Sequence, residues 1–138
     1  MGYTNRELLK EGSMQLRAAG ITEADTDAWL LFSACMGLNR TEYLMRSDAV
    51  VPDDKAEEYF GRLKRRAGRE PVQYIEETAP FMGFDFYVNE NVLIPRMDTE
   101  ILVSEAIKRA RIMFSQRQHD VNFRILDMCT GSGCIAQS

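Results

Sequence analysis

The residues best suited to chemistry stand near the end of the sequence, in the stretch DMCTGSGCIA. Glycine adopts positive φ readily and lets a ligand approach the backbone closely, so Gly131 and Gly133 suit a binding turn. A helix that begins after such a turn offers free N–H groups and a positive dipole end. Asp127, at the tip of a predicted strand, can accept from a ribose hydroxyl or pair with an ammonium group. The stretch therefore suggests a nucleotide-type site, although two glycines after a strand more often form only a tight turn.

Two common phosphate-binding motifs and a metal site do not fit the sequence. A P-loop requires Lys followed by Ser or Thr after its glycines, and a dinucleotide fingerprint requires a third glycine where the run beginning at Cys134 stands. The cysteines form no CxxC pair, and His119, the one histidine, lies in the polar stretch SQRQHD. We therefore expect no metal.

The composition is that of an ordinary globular protein and limits the classes of function. The chain has 138 residues, 45% of them hydrophobic and 28% charged, which fits one domain or two small ones. A net charge of −4 argues against a nucleic-acid-binding protein, because such proteins carry a basic excess. The N-terminus has no apolar signal core, and no apolar run reaches the roughly 20 residues that span a bilayer. Together with unpaired cysteines, these features predict a cytoplasmic protein.

The first half of the sequence predicts a small antiparallel bundle of short helices. Thr4 and Glu7 form a capping-box pair, and a second helix is expected to start at Thr22. A third helix is capped by Asn39 or Thr41. A fourth begins near Pro52, and its predicted buried face consists of Ala56, Phe60, Leu63 and Ala67. The glycines expected to end these helices are Gly20, Gly37 and Gly68.

The pattern changes at Pro71, where aromatic residues become frequent. The stretch PFMGFDFYVNENVLIP predicts a β-hairpin around Gly83, with Phe84, Phe86 and Val88 on one face. A helix capped by Asp98 or Thr99 follows, and a strand from Phe123 to Met128 precedes the glycine turn.

Two clusters allow two interpretations each. The basic segment GRLKRRAGRE is a solvated helix face or a docking surface for an acidic protein. The hairpin aromatics are either an interdomain core or the wall of a cofactor or substrate pocket; they are Phe81, Phe84, Phe86 and Tyr87.

Three segments, in order and at matching spacing, resemble the peptide chain release factor glutamine methyltransferases, the HemK/PrmC family. Members show a GEP segment, LIPRPDTE followed by LVE, and ILDLGTGSGCIAL. The equivalents here are Gly68 to Pro71, Leu93 to Glu100 with Leu102 to Glu105, and Ile125 to Ala136. The Asp-Thr pair within PRMDTE favours the release-factor branch over the sister family that modifies a ribosomal protein.

The resemblance implies an α+β fragment in three parts. Residues 1–70 would be an all-α helical bundle that recognises the substrate. Residues 71–97 would be a β-hairpin linker. Residues 98–138 would supply the first strand and glycine loop of an incomplete Rossmann-like α/β methyltransferase domain.

The implied activity is methyl transfer from S-adenosylmethionine to the glutamine of the Gly-Gly-Gln motif in release factors. The partners would be release factors and, indirectly, the ribosome, with no membrane and no direct nucleic-acid contact. The cofactor-binding residues carried over from the family are Asp127, Cys129, Thr130, Gly131, Ser132 and Gly133. The segment covering the active-site side of the cofactor would contain Pro95, Arg96, Thr99 and Glu100.

The sequence departs from the family pattern in several places. Cys129 replaces the first loop glycine, Met97 replaces a proline, and YIEE replaces a Tyr/His-Leu-Thr-Gly turn. The family's catalytic Asn-Pro-Pro-Tyr motif lies downstream of the loop, and no Asn-Pro pair occurs here. We therefore expect no catalytic residue in this chain and no activity from it alone. The alternatives are a non-enzymatic protein-binding module and a methyltransferase acting on nucleic-acid amino groups.

Overall fold

The computed structural model describes residues 2–115 and 124–138, which form two compact units. Unit 1 ends at Glu76, and unit 2 runs from Glu77 to Ser138. Each unit has its own cluster of buried apolar side chains. The described residues are mostly helical, with one two-stranded antiparallel hairpin.

Unit 1 is built of helices. They are α1 (Asn5–Ala18), α2 (Ala24–Met36), α3 (Arg40–Met45), α4 (Asp53–Ala67) and α5 (Val72–Ile75). The predicted bundle is therefore present, and the short α5 is an addition that the sequence pattern does not indicate.

The capping residues explain where the helices begin. Around α1, the Thr4 hydroxyl accepts from the Glu7 N–H at 3.3 Å and the Thr4 N–H donates to the Glu7 carboxylate at 2.9 Å, so the capping-box prediction is confirmed. The backbone hydrogen bond from Thr4 lowers the pKa of Glu7. Asn39, not Thr41, caps α3 and forms a second capping box with Glu42.

The start of α2 differs from the prediction at Thr22. Its N-cap is Glu23, which makes no side-chain capping hydrogen bond. Asp25, three residues after Thr22, instead accepts a hydrogen bond from Arg17 of α1, and that bond lowers the pKa of Asp25.

The core of unit 1 centres on Tyr59 of α4, which is fully buried. Its hydroxyl donates to the Ala28 carbonyl of α2 at 3.1 Å, and burial raises the pKa of that hydroxyl. A Cβ added to Gly12 of α1 would lie 2.1 Å from the Tyr59 Oη, so only glycine fits there. The buried aromatic residue of α4 is therefore Tyr59 and not Phe60, which the sequence pattern predicted and which is only half-buried.

Charged residues of α4 pair within unit 1. Arg66 Nε donates to the Asp27 carboxylate at 2.7 Å, and both side chains are largely buried. Arg62 donates to Glu76 and to Glu58, each at 2.6 Å. Arg65 also holds Glu70, whose pKa its hydrogen bond lowers. These arginines of the basic segment are therefore engaged by carboxylates, which favours the structural interpretation over the docking surface.

Unit 2 contains β1 (Thr78–Phe81), β2 (Phe84–Tyr87), α6 (Met97–Ser115) and the single-turn helix α7 (Cys134–Gln137). The strands pair antiparallel, with Phe81 opposite Phe84. Met82 and Gly83 form the two-residue loop and both have positive φ, 51° and 81°, as the common hairpin turns with matching twist require. The predicted hairpin around Gly83 is confirmed.

One side chain ties the hairpin loop to α6. The carboxylate of Glu100 accepts from the Met82 N–H at 2.8 Å. Beneath this contact, Phe81, Val103 and Cys134 form the small buried cluster of unit 2. The cluster therefore joins the hairpin, α6 and α7.

The predicted strand from Phe123 to Met128 is not observed. Phe123 lies outside the described residues, and residues 124–127 have no regular secondary structure. Ile125 and Leu126 are each 81% exposed. A strand needs a neighbour for its backbone hydrogen bonds, and no described strand lies beside this segment. The expected start of a Rossmann-like sheet is thus absent from the described residues.

The close contact at Gly12 generates a stability prediction. We expect Gly12→Ala to lower the free energy of unfolding by about 2 kcal/mol, because the new methyl group must displace the buried Tyr59 ring. Gly61→Ala is the matched control, since α4 has open space at that position and alanine favours helix by about 1 kcal/mol. Urea unfolding followed by circular dichroism measures both. Equal stabilisation by the two substitutions would contradict the described packing.

Candidate functional site

The stretch from Asp127 to Gly133 forms a compact turn. Its backbone is left-handed at Cys129, Gly131 and Gly133, with φ of 59°, 57° and 79°. The Gly133 N–H donates to the Thr130 carbonyl at 2.9 Å, and the Thr130 hydroxyl donates to the Asp127 carboxylate at 2.8 Å. The turn is therefore closed by its own hydrogen bonds, and Thr130 orients the carboxylate of Asp127.

The two glycines of the turn serve different purposes. Nothing lies within 4 Å of a Cβ built on Gly131, so this position leaves the backbone open to an approaching group. A Cβ on Gly133 would meet only the end of the exposed Gln137 side chain, at 2.9 Å, and that side chain can move aside; the φ of 79° is what favours glycine here.

Cys129 is an exposed side chain on left-handed backbone. This conformation costs a non-glycine residue about 1 kcal/mol, which explains why glycine suits the position. By contrast, Cys35 of unit 1 is buried, and burial raises the pKa of its thiol to about 11.

Ser132 and Cys134 anchor the end of the turn. Cys134 is 8% exposed and packs in the buried cluster of unit 2. The Ser132 hydroxyl is buried and has no hydrogen-bond partner among the described residues. An unpaired buried hydroxyl is costly, so this oxygen is available to a bound polar group.

A cavity of about 490 Å³ lies between β2 and the turn, within unit 2. Its lining consists of Phe84, Asp85, Phe86, Tyr87, Ser132 and Gln137. Three of the hairpin aromatics thus line a pocket, whereas Phe81 is core. The sequence pattern does not identify Asp85 as a lining residue of this cavity. The one signal in the sequence is that Asp85 stands between two aromatic residues of a predicted strand.

The segment predicted to cover the cofactor leads into α6. Arg96 is exposed, and its carbonyl accepts from the Thr99 N–H at 3.0 Å; Pro95 and Thr99 are partly buried. The carboxylate of Glu100 is engaged by the Met82 N–H. Glu100 therefore holds the hairpin loop in place, a positioning contact that its sequence motif does not indicate.

The described residues contain neither a membrane-spanning helix nor a metal-binding cluster. In residues 2–115 and 124–138, no helix combines the length and apolar character needed to cross a bilayer. Within the same ranges, no three His, Cys, Asp or Glu side chains are grouped so that they can hold a metal ion.

Known proteins similar to this chain include release factor glutamine methyltransferases from several bacteria. That of Geobacter sulfurreducens is 37% identical over 134 residues, which are 97% of this chain and 44% of that protein. Those of Clostridium botulinum and Leptospira interrogans are 34% and 32% identical over 131 residues each, covering 94% and 95% of this chain. The chain spans less than half the length of these curated relatives.

A sequence model of the PrmC N-terminal domain matches residues 7–76, which is just over half of the chain and nearly all of unit 1. The resemblance read from the three motifs is thereby confirmed. The chain belongs to the PrmC N-terminal domain family.

Proposed function

We propose that this chain is the N-terminal part of an S-adenosylmethionine-dependent methyltransferase that modifies the glutamine of the Gly-Gly-Gln motif in peptide chain release factors. The observation that carries the proposal is the match of 94–97% of the chain to three proteins named release factor glutamine methyltransferase. The chain corresponds to 44% of each of them. The three-part division, with its bundle of residues 1–70, linker of 71–97 and catalytic-domain start at 98, remains part of the proposal.

The turn from Asp127 to Gly133 has features that suit a methyl donor of this kind. Gly131 leaves its backbone open, the buried Ser132 hydroxyl has no hydrogen-bond partner in the part of the chain that the structure describes, and Thr130 orients the Asp127 carboxylate. In our proposal Asp127 accepts from a ribose hydroxyl or pairs with an ammonium group, while the turn supports the rest of the molecule. When bound, S-adenosylmethionine would supply an electrophilic methyl group on a sulfonium.

Residues of the 95–100 segment would act beside this turn. Pro95, Arg96 and Thr99 would cover the active-site side of the cofactor, as the resemblance implies. Glu100 would act indirectly, because its carboxylate fixes the hairpin loop through the Met82 N–H.

The chain supplies no group for activating the glutamine amide in this proposal. An amide nitrogen is a weak nucleophile, so transfer depends on positioning and on polar groups that support the reacting amide. The Asn-Pro-Pro-Tyr motif would do this, and it is absent from the sequence. We therefore expect the 138-residue chain to be inactive alone.

The test of the proposed function is methyl transfer by the natural-length protein. Incubated with radiolabelled S-adenosylmethionine, it is expected to label a bacterial release factor at the Gly-Gly-Gln glutamine, and the 138-residue chain is expected to label nothing. A release factor with that glutamine changed to alanine is the matched control. Labelling of DNA or RNA in place of release factor would support the nucleic-acid alternative. Release-factor binding without labelling would support the non-enzymatic module, and either result would contradict the proposal.

The side chain of Cys129 is expected to limit how closely the cofactor approaches the turn. In the natural-length protein, Cys129→Gly is expected to tighten S-adenosylmethionine binding about threefold, because without a Cβ at this left-handed position the cofactor can approach the backbone more closely. Calorimetry measures the dissociation constant. Cys129→Ala removes the same thiol but keeps a Cβ on that backbone, so it is expected to leave the constant unchanged. Equal tightening by both variants would show that the thiol, and not the backbone, limits binding.

A further inference from the structure

The pairing register determines which backbone groups of the hairpin face outwards. The two-residue loop makes Phe81 and Phe84 a hydrogen-bonded pair, and such pairs alternate along antiparallel strands. The Val88 N–H donates to the Glu77 carbonyl at 3.1 Å, so Glu77 and Val88, just beyond the strand ends, are also a hydrogen-bonded pair. This agrees with the alternation that starts at Phe81 and Phe84. Asp85 and Tyr87 are therefore in non-hydrogen-bonded pairs, and their N–H and C=O groups point away from β1.

The two outer edges of this hairpin are not equivalent. On β1 the outward-facing positions are Thr78 and Pro80, opposite Tyr87 and Asp85. Proline has no N–H, so Pro80 removes a donor from that edge and blocks regular pairing there. The edge of β2 keeps the donors and acceptors of both Asp85 and Tyr87.

The cavity of about 490 Å³ lies along the open edge. All four residues of β2 line it, no residue of β1 does, and the far wall contains Ser132 and Gln137 of the turn region. Among the described residues of unit 2, then, the outer edge of β2 has no partner strand and faces a cavity that Ser132 of the proposed cofactor turn also lines.

We propose that β2 accepts an extended segment of the protein substrate as a third antiparallel or parallel strand, held by the backbone groups of Asp85 and Tyr87. This inference rests on the proposed function, which makes the substrate a polypeptide. Adding a strand to an exposed edge is a general mode of peptide recognition, in which main-chain hydrogen bonds provide affinity. The segment then lies in the cavity beside Ser132, so the edge delivers the substrate backbone to the turn.

The first test uses backbone-methylated peptides. A short synthetic peptide with Gly-Gly-Gln at its centre is made in two forms, N-methylated at the odd or at the even positions. Because alternate N–H groups of a strand point to opposite sides, one form is expected to bind the natural-length protein about tenfold more weakly than the unmodified peptide. The other form is expected to bind nearly unchanged. Fluorescence anisotropy of the labelled peptides measures these affinities.

The second test changes the edge itself. Tyr87→Pro removes the outward N–H and the side chain, whereas the control Tyr87→Ala removes only the side chain. The proline variant is expected to bind the unmodified peptide about tenfold more weakly than the alanine variant. Circular dichroism checks that both variants fold, and if the proline variant does not, the two peptide forms decide alone.

The outcomes separate this inference from the proposed function. Equal affinities for the two methylated forms, no peptide binding, or equal binding by folded proline and alanine variants would overturn edge recognition, even if release factor is methylated. Alternating affinities would support edge recognition, even if release factor is not methylated and the proposed function fails. Concentration-dependent dimers that Tyr87→Pro abolishes would assign the edge to a second copy of this chain and overturn the inference.

Discussion

A β-strand is stable only where its backbone N–H and C=O groups find partners, and this requirement governs unit 2. The requirement is met between β1 and β2. It is not met by residues 124–127, which have no described strand beside them and expose Ile125 and Leu126. Among the described residues, therefore, both the outer edge of β2 and residues 124–127 lack a neighbouring strand with which to form backbone hydrogen bonds. The segment leading into the glycine turn would gain regular structure only beside further strands.

Unit 1 shows the opposite situation, because its polar groups are largely paired within the unit. Capping boxes begin α1 and α3, and Arg62 and Arg66 of α4 are held by carboxylates. Tyr59 fills the space that Gly12 leaves and satisfies its hydroxyl on α2. Substrate recognition by this unit, as we propose it, would therefore use surfaces other than its paired arginines.

Local signals in the sequence predict much of this fold. The Thr4–Glu7 pair and Gly83 act through hydrogen bonds and φ values set within a few residues, so the first helix and the hairpin are predictable. Tyr59 and Phe60 are adjacent aromatics, and it is the tertiary contacts of Tyr59 with Gly12 and Ala28 that accompany its burial, which the local pattern does not show. The terminal strand fails as a prediction because its stability depends on neighbours, and local pattern does not reveal whether these are present. In the turn, the positive φ of Gly131 and Gly133 could be predicted, because glycine favours that conformation. The cavity beside β2 could not be predicted, because it depends on how the hairpin packs near the turn.

Our central proposal is that this sequence is part of an enzyme that methylates release factors in the cell. The most direct measurement is peptide mapping by mass spectrometry of release factors purified from the source organism, with the gene intact and disrupted. The account predicts that the Gly-Gly-Gln glutamine carries a methyl group in the first case, loses it in the second, and regains it when the gene is restored. Unchanged methylation after disruption would contradict the account.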